Sequence, residues 1–246
     1  MPAISYQLYS SRNWDVEETF AMLADLGINE VEGFGPYFDD VEKTKSLLDA
    51  YGLTMPTAHF ALDLVETDPD RVIDVAKKIG IQTIVIPFVA PENRPSSAQG
   101  WKEFGERLVS ASKPVLNAGL GFAWHNHDFE MVPVDGQTPL DLIAAASEDI
   151  QIELDLAWVK FSGEDPVQWI EKYSGRLVAV HVKDIAPVGE NADEDGWADV
   201  GYGTMDWPAI KRAMDAALVR RYVIEHDNPN DHKRMAQRSL ATVQSF

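Results

Sequence analysis

Four polar residues, Glu130, Asp155, His181 and Glu225, each stand at or just past the end of a separate apolar run. The runs are Gly121-Phe-Ala-Trp-His-Asn-His127 with Glu130 beyond it, Ile150-Gln-Ile-Glu-Leu-Asp155, Leu177-Val-Ala-Val-His-Val182 and Tyr222-Val-Ile-Glu225. Two or three carboxylates with a neutral imidazole suit a hard or borderline divalent cation that keeps positions open for oxygen ligands. Mn2+ is the ion expected, with Mg2+, Co2+ or Zn2+ as alternatives. Glu130 and Glu225 beside such an ion form a pair of proton carriers: one takes a proton from the carbon next to a carbonyl, and the other returns it to the opposite face or to the adjacent carbon. Each residue also has a structural reading. Asp155 can cap the segment that follows it, His181 can be a hydrogen-bonded rim residue, and Glu225 can pair with a neighbouring base.

A second tier of candidates would bind substrate. His125 and His127 are two apart, which puts both imidazoles on one face if the strand extends that far; either is then available to a metal or a ligand. If the chain is helical there instead, His127 and Glu130 share a face. His59 can donate to a sugar hydroxyl. Lys183 can balance an acidic pocket or meet a phosphate, or else pair with Asp184. Trp14, Phe34, Trp124 and Trp158 can supply an apolar wall for sugar carbons, although aromatic residues near strand ends also pack ordinary cores. Neither a phosphate-binding glycine loop, a dinucleotide fingerprint nor a nucleophile elbow of the usual form is found, and Gly33-Phe-Gly35 and Gly201-Tyr-Gly203 read as turns.

Short β-like runs alternate with amphipathic segments along the whole chain. Strands are expected over 3–9, 30–34, 54–60, 83–88, 121–125, 151–155, 177–182 and 221–225. Helices are expected over 16–26, 40–51, 69–79, 101–118, 139–146, 166–173, 207–217 and from 231 to about 241. Asp15 caps the first of these helices, and glycines at 27, 52, 80 and 119 supply stops. Eight such pairs fit an α/β fold of one (β/α)8 barrel over 1–246, whose strand ends would gather the candidate ligands on one rim. An open doubly wound sheet is the competitor, since strand order is invisible in these patterns. The longest irregular insertion, 186–205, either covers the substrate or is a solvated acidic loop.

The chain has 246 residues and no cysteine, so thiolate catalysis, disulfides and Cys-ligated zinc are out. Its 21 basic against 40 acidic residues give a formal charge of −19, which disfavours nucleic acid and anionic lipid as partners. The N-terminal residues lack a signal-peptide pattern and no apolar run is long enough for a bilayer, so a cytoplasmic location with no membrane partner is expected. A homo-oligomer is compatible with a barrel of this kind, but no self-complementary surface can be read from the sequence.

The strings Trp124-His-Asn-His-Asp-Phe-Glu130, Glu153-Leu-Asp-Leu-Ala-Trp158, His181-Val-Lys-Asp184, Val200-Gly-Tyr-Gly-Thr-Met-Asp-Trp207 and Tyr222-Val-Ile-Glu-His-Asp227, taken in order, resemble the sugar phosphate isomerase/epimerase family with its xylose-isomerase-like TIM barrel. The resemblance spans nearly the whole chain. It implies a Glu-Asp-His-Glu metal site whose last three positions fall on Asp155, His181 and Glu225. Many relatives carry Glu-Asn-His where this chain has His125-Asn-His127; members with an HNHxxE form resemble it more closely, and there Glu130 is the natural replacement. His226 stands where glutamine is common. The reading is a metal-dependent isomerase or epimerase for a small sugar, keto-sugar or polyol. A keto-polyol dehydratase or lyase of the inosose type, a DNA-repair phosphodiesterase on a related barrel, and a noncatalytic carbohydrate-binding or assembly subunit are the competing readings.

Overall fold

The computed structural model describes residues 2–246. Eight parallel strands close into a barrel: β1 (Ala3–Gln7), β2 (Glu30–Phe34), β3 (Thr54–His59), β4 (Thr83–Ile86), β5 (Gly121–His125), β6 (Ile150–Asp155), β7 (Leu177–Val182) and β8 (Arg221–Ile224). Each strand pairs with its neighbours in the chain, and β8 returns to β1 with Ala3 opposite Arg221 and Tyr6 opposite Ile224. That last pairing removes the open-sheet alternative. The fold is the (β/α)8 barrel expected from the repeated strand–helix pattern.

Alternation along the strands sorts the side chains. Tyr6, Val31, Ala58, Ile84, Trp124, Leu154, Val180 and Tyr222 are buried in the apolar core that the strands share with the helices. The residues between them point to the barrel axis, where branched apolar side chains would be the usual filling. Here that interior holds Gln7, Glu32, Thr57, His125, Glu153, Asp155, His181 and Lys183, all buried. Much of the cost of burying these polar groups is met by the bonds they make with one another, while His125 Nδ1, Glu153 Oε2 and Asp155 Oδ2 are buried without a partner.

The surrounding helices are α1 (Val16–Asp25), α2 (Val41–Tyr51), α3 (Leu62–Thr67), α4 (Pro69–Ile79), α5 (Ala98–Asn117), α6 (Pro139–Ala146), α7 (Leu156–Phe161), α8 (Pro166–Lys172), α9 (Trp207–Ala216) and α10 (His232–Gln244). Asp15 caps α1 by accepting from the amides of Glu17 and Glu18, and Gly52 ends α2 at φ 67°, the left-handed conformation that a glycine stop provides. Helices α3 and α7 were not expected. Each has six residues, too few to show a helical period. The start of α7 is set by Asp155 itself, whose Oδ1 accepts from the amides of Ala157 and Trp158.

The insertion after β7 folds back as a ribbon in which Asp184–Ile185 pair antiparallel with Trp197–Ala198. Asp184 fixes it by accepting from the amides of Gly201 and Met205 and from Trp207 Nε1. Arg234 on α10 clamps its far side through Glu194 and Asp199. No helix among the described residues is long and apolar enough to cross a membrane.

Candidate metal centre

The inward-facing polar residues form two layers that meet at His125 and His181. In the deeper layer, Glu32 of β2 accepts from Gln7 Nε2 at 2.8 Å through Oε1 and from Thr57 Oγ1 at 2.5 Å through Oε2. Glu153 Oε1 of β6 lies 2.7 Å from His59 Nε2 and 3.1 Å from His181 Nε2. Burial alone would push both carboxyls up. The facing His59 and His181 reverse this, holding Glu32 well below the ordinary carboxylate range and Glu153 below it. Burial would likewise lower the two imidazoles, but the carboxylates hold His59 up to about 10 and His181 well above its ordinary value.

The upper layer lies at the C-terminal ends of β5 to β8. One donor atom each from His125, Asp155, His181 and Glu225 lies within 4.8 Å of every other, and all four residues are buried. His181 links the layers: Nε2 is 2.7 Å from Glu32 Oε1, while Nδ1 is 2.9 Å from Glu225 Oε2. Asp155 divides its oxygens between two tasks. Oδ1 caps α7, whereas Oδ2 is buried with no hydrogen-bond partner, and Lys183 Nζ stands 3.5 Å from it. A carboxylate with one oxygen held and one spare, beside a second carboxylate and two imidazoles, fits a divalent cation of the Mn2+, Mg2+, Co2+ or Zn2+ type. A second grouping, His59, His125, Glu153 and His181, meets the same distance limit in the deeper layer.

Charge in the upper layer is uneven. Burial raises the Asp155 carboxyl, and Glu225 adds to this while Lys183 opposes it, leaving the group at about 6. Glu225 is also pushed up by burial, but Lys183 and His181 hold it well below the usual range. Burial and the nearby His181 push His125 well below its ordinary value, so its imidazole is neutral. His127 is neutral for a similar reason, drawn down to about 3 by burial and by Lys183.

Glu130 is the exception among the expected ligands. It lies in the 3-10 turn after β5, and its oxygens accept from Trp124 Nε1 at 3.0 Å and from the His127 amide at 2.9 Å. With these partners it is not among the four residues whose donor atoms gather. His125 stands there in its place. Burial raises the Glu130 carboxyl to about 8, which favours the neutral acid.

Lys183 does not pair with Asp184. Its Nζ bonds Asp227 at 2.6 Å and lies 4.3 Å from the Trp197 ring and 4.9 Å from that of Trp158, held between two aromatic faces. His59 bonds Glu153 of the deeper layer and also lines the cavity above. Of the four aromatic residues expected to wall the site, Phe34 and Trp158 line the cavity above it. Trp124 is core, and Trp14 stacks on His232.

The cavity measures about 930 Å3, and His125, His127 and Glu225 line it together with Asp195 of the ribbon. Glu32, Glu153 and Asp227 were passed over in the sequence. The signal was present: Glu153 is two residues before Asp155 and Asp227 two after Glu225, spacings that place them on the inward face once those strands are assigned.

The model of the family described as "Xylose isomerase-like TIM barrel" matches residues 20–245. Rhizopine catabolism protein MocC of Rhizobium meliloti is 23% identical over 265 residues, covering 93% of this chain and 81% of that protein. Inosose dehydratase of Clostridium beijerinckii is 23% identical over 190 residues, covering 69% of this chain and 63% of that protein. Among solved structures, a sugar phosphate isomerase/epimerase from Parabacteroides distasonis superposes with a TM-score of 0.83 at 20% identity, over 99% of this chain and 94% of the other. The IOLI protein, crystallised with a bound zinc atom, superposes with a TM-score of 0.80 at 14% identity, over 100% and 97%. The chain belongs to the xylose isomerase-like TIM barrel family.

Proposed function

We propose that the protein is a divalent-metal-dependent enzyme that removes the proton next to the carbonyl of a small keto-sugar or keto-polyol, with Glu225 as the base. The observation that carries this reading is the four-residue group His125, Asp155, His181 and Glu225 at the cavity floor, with one Asp155 oxygen spare. A divalent ion held there would polarise the carbonyl and stabilise the negative charge that develops on its oxygen. Glu225 is ionised, lines the cavity and is held by His181, so it meets the requirements of a positioned base. The Lys183 ammonium, fixed by Asp227, offers a charge and a donor to a substrate oxygen. His127 presents a neutral imidazole to the same space, and Phe34 and Trp158 face the carbon skeleton.

Two-base epimerisation needs a second carrier on the opposite face of the reacting carbon. Glu130, expected in that role, is turned towards Trp124. One base on one face suffices for elimination of a hydroxyl β to the carbonyl on that same face, where the proton Glu225 takes from carbon is handed to the departing hydroxyl so that water leaves. It also suffices for isomerisation, where that proton is returned to the adjacent carbon. Elimination is the preferred outcome, supported by the similarity to an inosose dehydratase; isomerisation is the second reading, supported by the likeness to a sugar phosphate isomerase/epimerase.

The test is incubation of metal-stripped and Mn2+-reloaded protein with a panel of keto-polyols and keto-sugars in deuterated water. Metal-dependent deuterium uptake at the carbon next to the carbonyl supports proton removal. A product lighter by one water then marks elimination, and a product of unchanged mass marks isomerisation. Absence of exchange with every substrate would contradict the proposal.

A further inference from the structure

The deeper carboxylates are buried beneath the group proposed to hold the ion, and nothing in the proposed reaction uses them directly. Resting on that reading of the upper layer, we infer that Glu32 is a positioning residue that keeps the His181 proton on Nε2 and so aims the Nδ1 lone pair at the ion.

The argument is geometric. Neutral imidazole has one proton and one lone pair, and the partner of one nitrogen decides which atom carries which. Both His181 nitrogens face carboxylate oxygens, Nε2 those of Glu32 at 2.7 Å and Glu153 at 3.1 Å and Nδ1 that of Glu225 at 2.9 Å. They differ in that Glu32 is closed in by the protein donors Gln7 and Thr57, whereas Glu225 lines the cavity from which an ion would enter. The proton therefore stays below and the coordinating pair points up, the carboxylate–histidine–metal arrangement that raises ligand basicity and fixes ring orientation.

Glu32 is itself held from both sides. The Tyr9 amide donates to Gln7 Oε1 at 3.0 Å, which orients the Gln7 amide so that Nε2 donates to Glu32 Oε1. Thr57 Oγ1 holds Oε2. The chain from Tyr9 to His181 thus crosses four elements and leaves neither Glu32 oxygen free to ligate.

The experiment titrates Mn2+ into stripped wild-type, Glu32→Gln and Glu225→Gln proteins by calorimetry, with circular dichroism on each. It adds 15N correlation spectra of the histidine rings in the wild type loaded with diamagnetic Zn2+. The inference expects one ion in the wild type, a loss of about 10- to 100-fold in affinity for Glu32→Gln at unchanged stoichiometry, and a His181 ring protonated at Nε2 and bare of proton at Nδ1. Unchanged affinity in a folded Glu32→Gln protein, an Nδ1-protonated ring, or a second ion held by the deeper group would overturn it. Should Glu32→Gln fail to fold, the wild-type spectrum decides alone. Failure of the wild type to bind either ion would instead sink the metal reading on which the inference stands.

Discussion

The two polar layers inside the barrel contain the same residue types and differ in what their lone pairs face. In the deeper layer Glu32 has both oxygens bonded by protein donors, while Glu153 meets two imidazoles through Oε1 and keeps Oε2 buried without a partner. In the upper layer Asp155 keeps a bare oxygen, and Glu225 faces a cavity of about 930 Å3. The deeper carboxylates are held ionised by imidazoles; the upper pair is split, with Asp155 raised and Glu225 lowered. The contrast shows that residue type alone does not make a ligand. A buried carboxylate whose partners are complete, as Glu32, orients its neighbours, and one that lines a cavity, as Glu225, is available for chemistry.

The strongest way to break the comparison is to neutralise a carboxylate of the upper layer. Glu225→Gln is expected to keep the fold and cut turnover by about 10^2- to 10^4-fold, the usual span for a general base, as measured by steady-state kinetics on the substrate found in the exchange panel. Turnover within tenfold of wild type would remove the base from its role.

Acidity sharpens the contrast next. His181 is held protonated well above its ordinary value in the ion-free protein, so an ion binding at Nδ1 must displace a proton. Affinity for Mn2+ is then expected to rise with pH, by about tenfold per unit for each proton displaced. Calorimetric titration in buffers of different ionisation enthalpy reads the proton release directly. Binding that ignores pH would contradict the assignment of Nδ1.

Lys183 is the cation already present among the upper carboxylates, 3.5 Å from both Asp155 and Glu225. Lys183→Met is expected to raise KM by roughly tenfold to 100-fold, the loss of a charged hydrogen bond to substrate. It should not weaken Mn2+ binding, since the lysine competes for the same oxygens. A protein that loses its ion with the lysine would show the side chain to be structural.

The smallest effect is expected at Glu130. Glu130→Gln should leave Mn2+ affinity unchanged and cost about 1 kcal/mol of stability for one impaired hydrogen bond. The pH dependence has a definite sign. The folded carboxyl is raised to about 8, so its stabilising contribution is complete below the ordinary carboxylate range and is lost as pH rises through about 8. Thermal melts across that window should show the wild type declining towards the variant, which has no such titration. A variant that sheds its metal would restore Glu130 to the ligand set.

These differences explain what could be read from the sequence. The barrel was legible because apolar runs and amphipathic segments alternate eight times, with glycine stops after the first four long helices, and closure follows once β8 pairs with β1. Asp155, His181 and Glu225 were legible as polar residues ending apolar runs, and the fold brings them together. Glu130 is read from its place in the chain, which does not report where a side chain turns: in the structure it accepts from Trp124 Nε1 and the His127 amide. Glu32 was invisible for the converse reason. In Glu30-Val-Glu32 it looks like one more acidic residue of an acidic chain, and its partners Gln7, Thr57 and His181 come from three other strands.

The most direct measurement is an anomalous difference map from a crystal loaded with Mn2+. The account expects one peak within coordination distance of His125, Asp155, His181 Nδ1 and Glu225, with Glu130 still bonded to Trp124. A peak ligated by Glu130, or one lodged among His59, His125, Glu153 and His181, would contradict it.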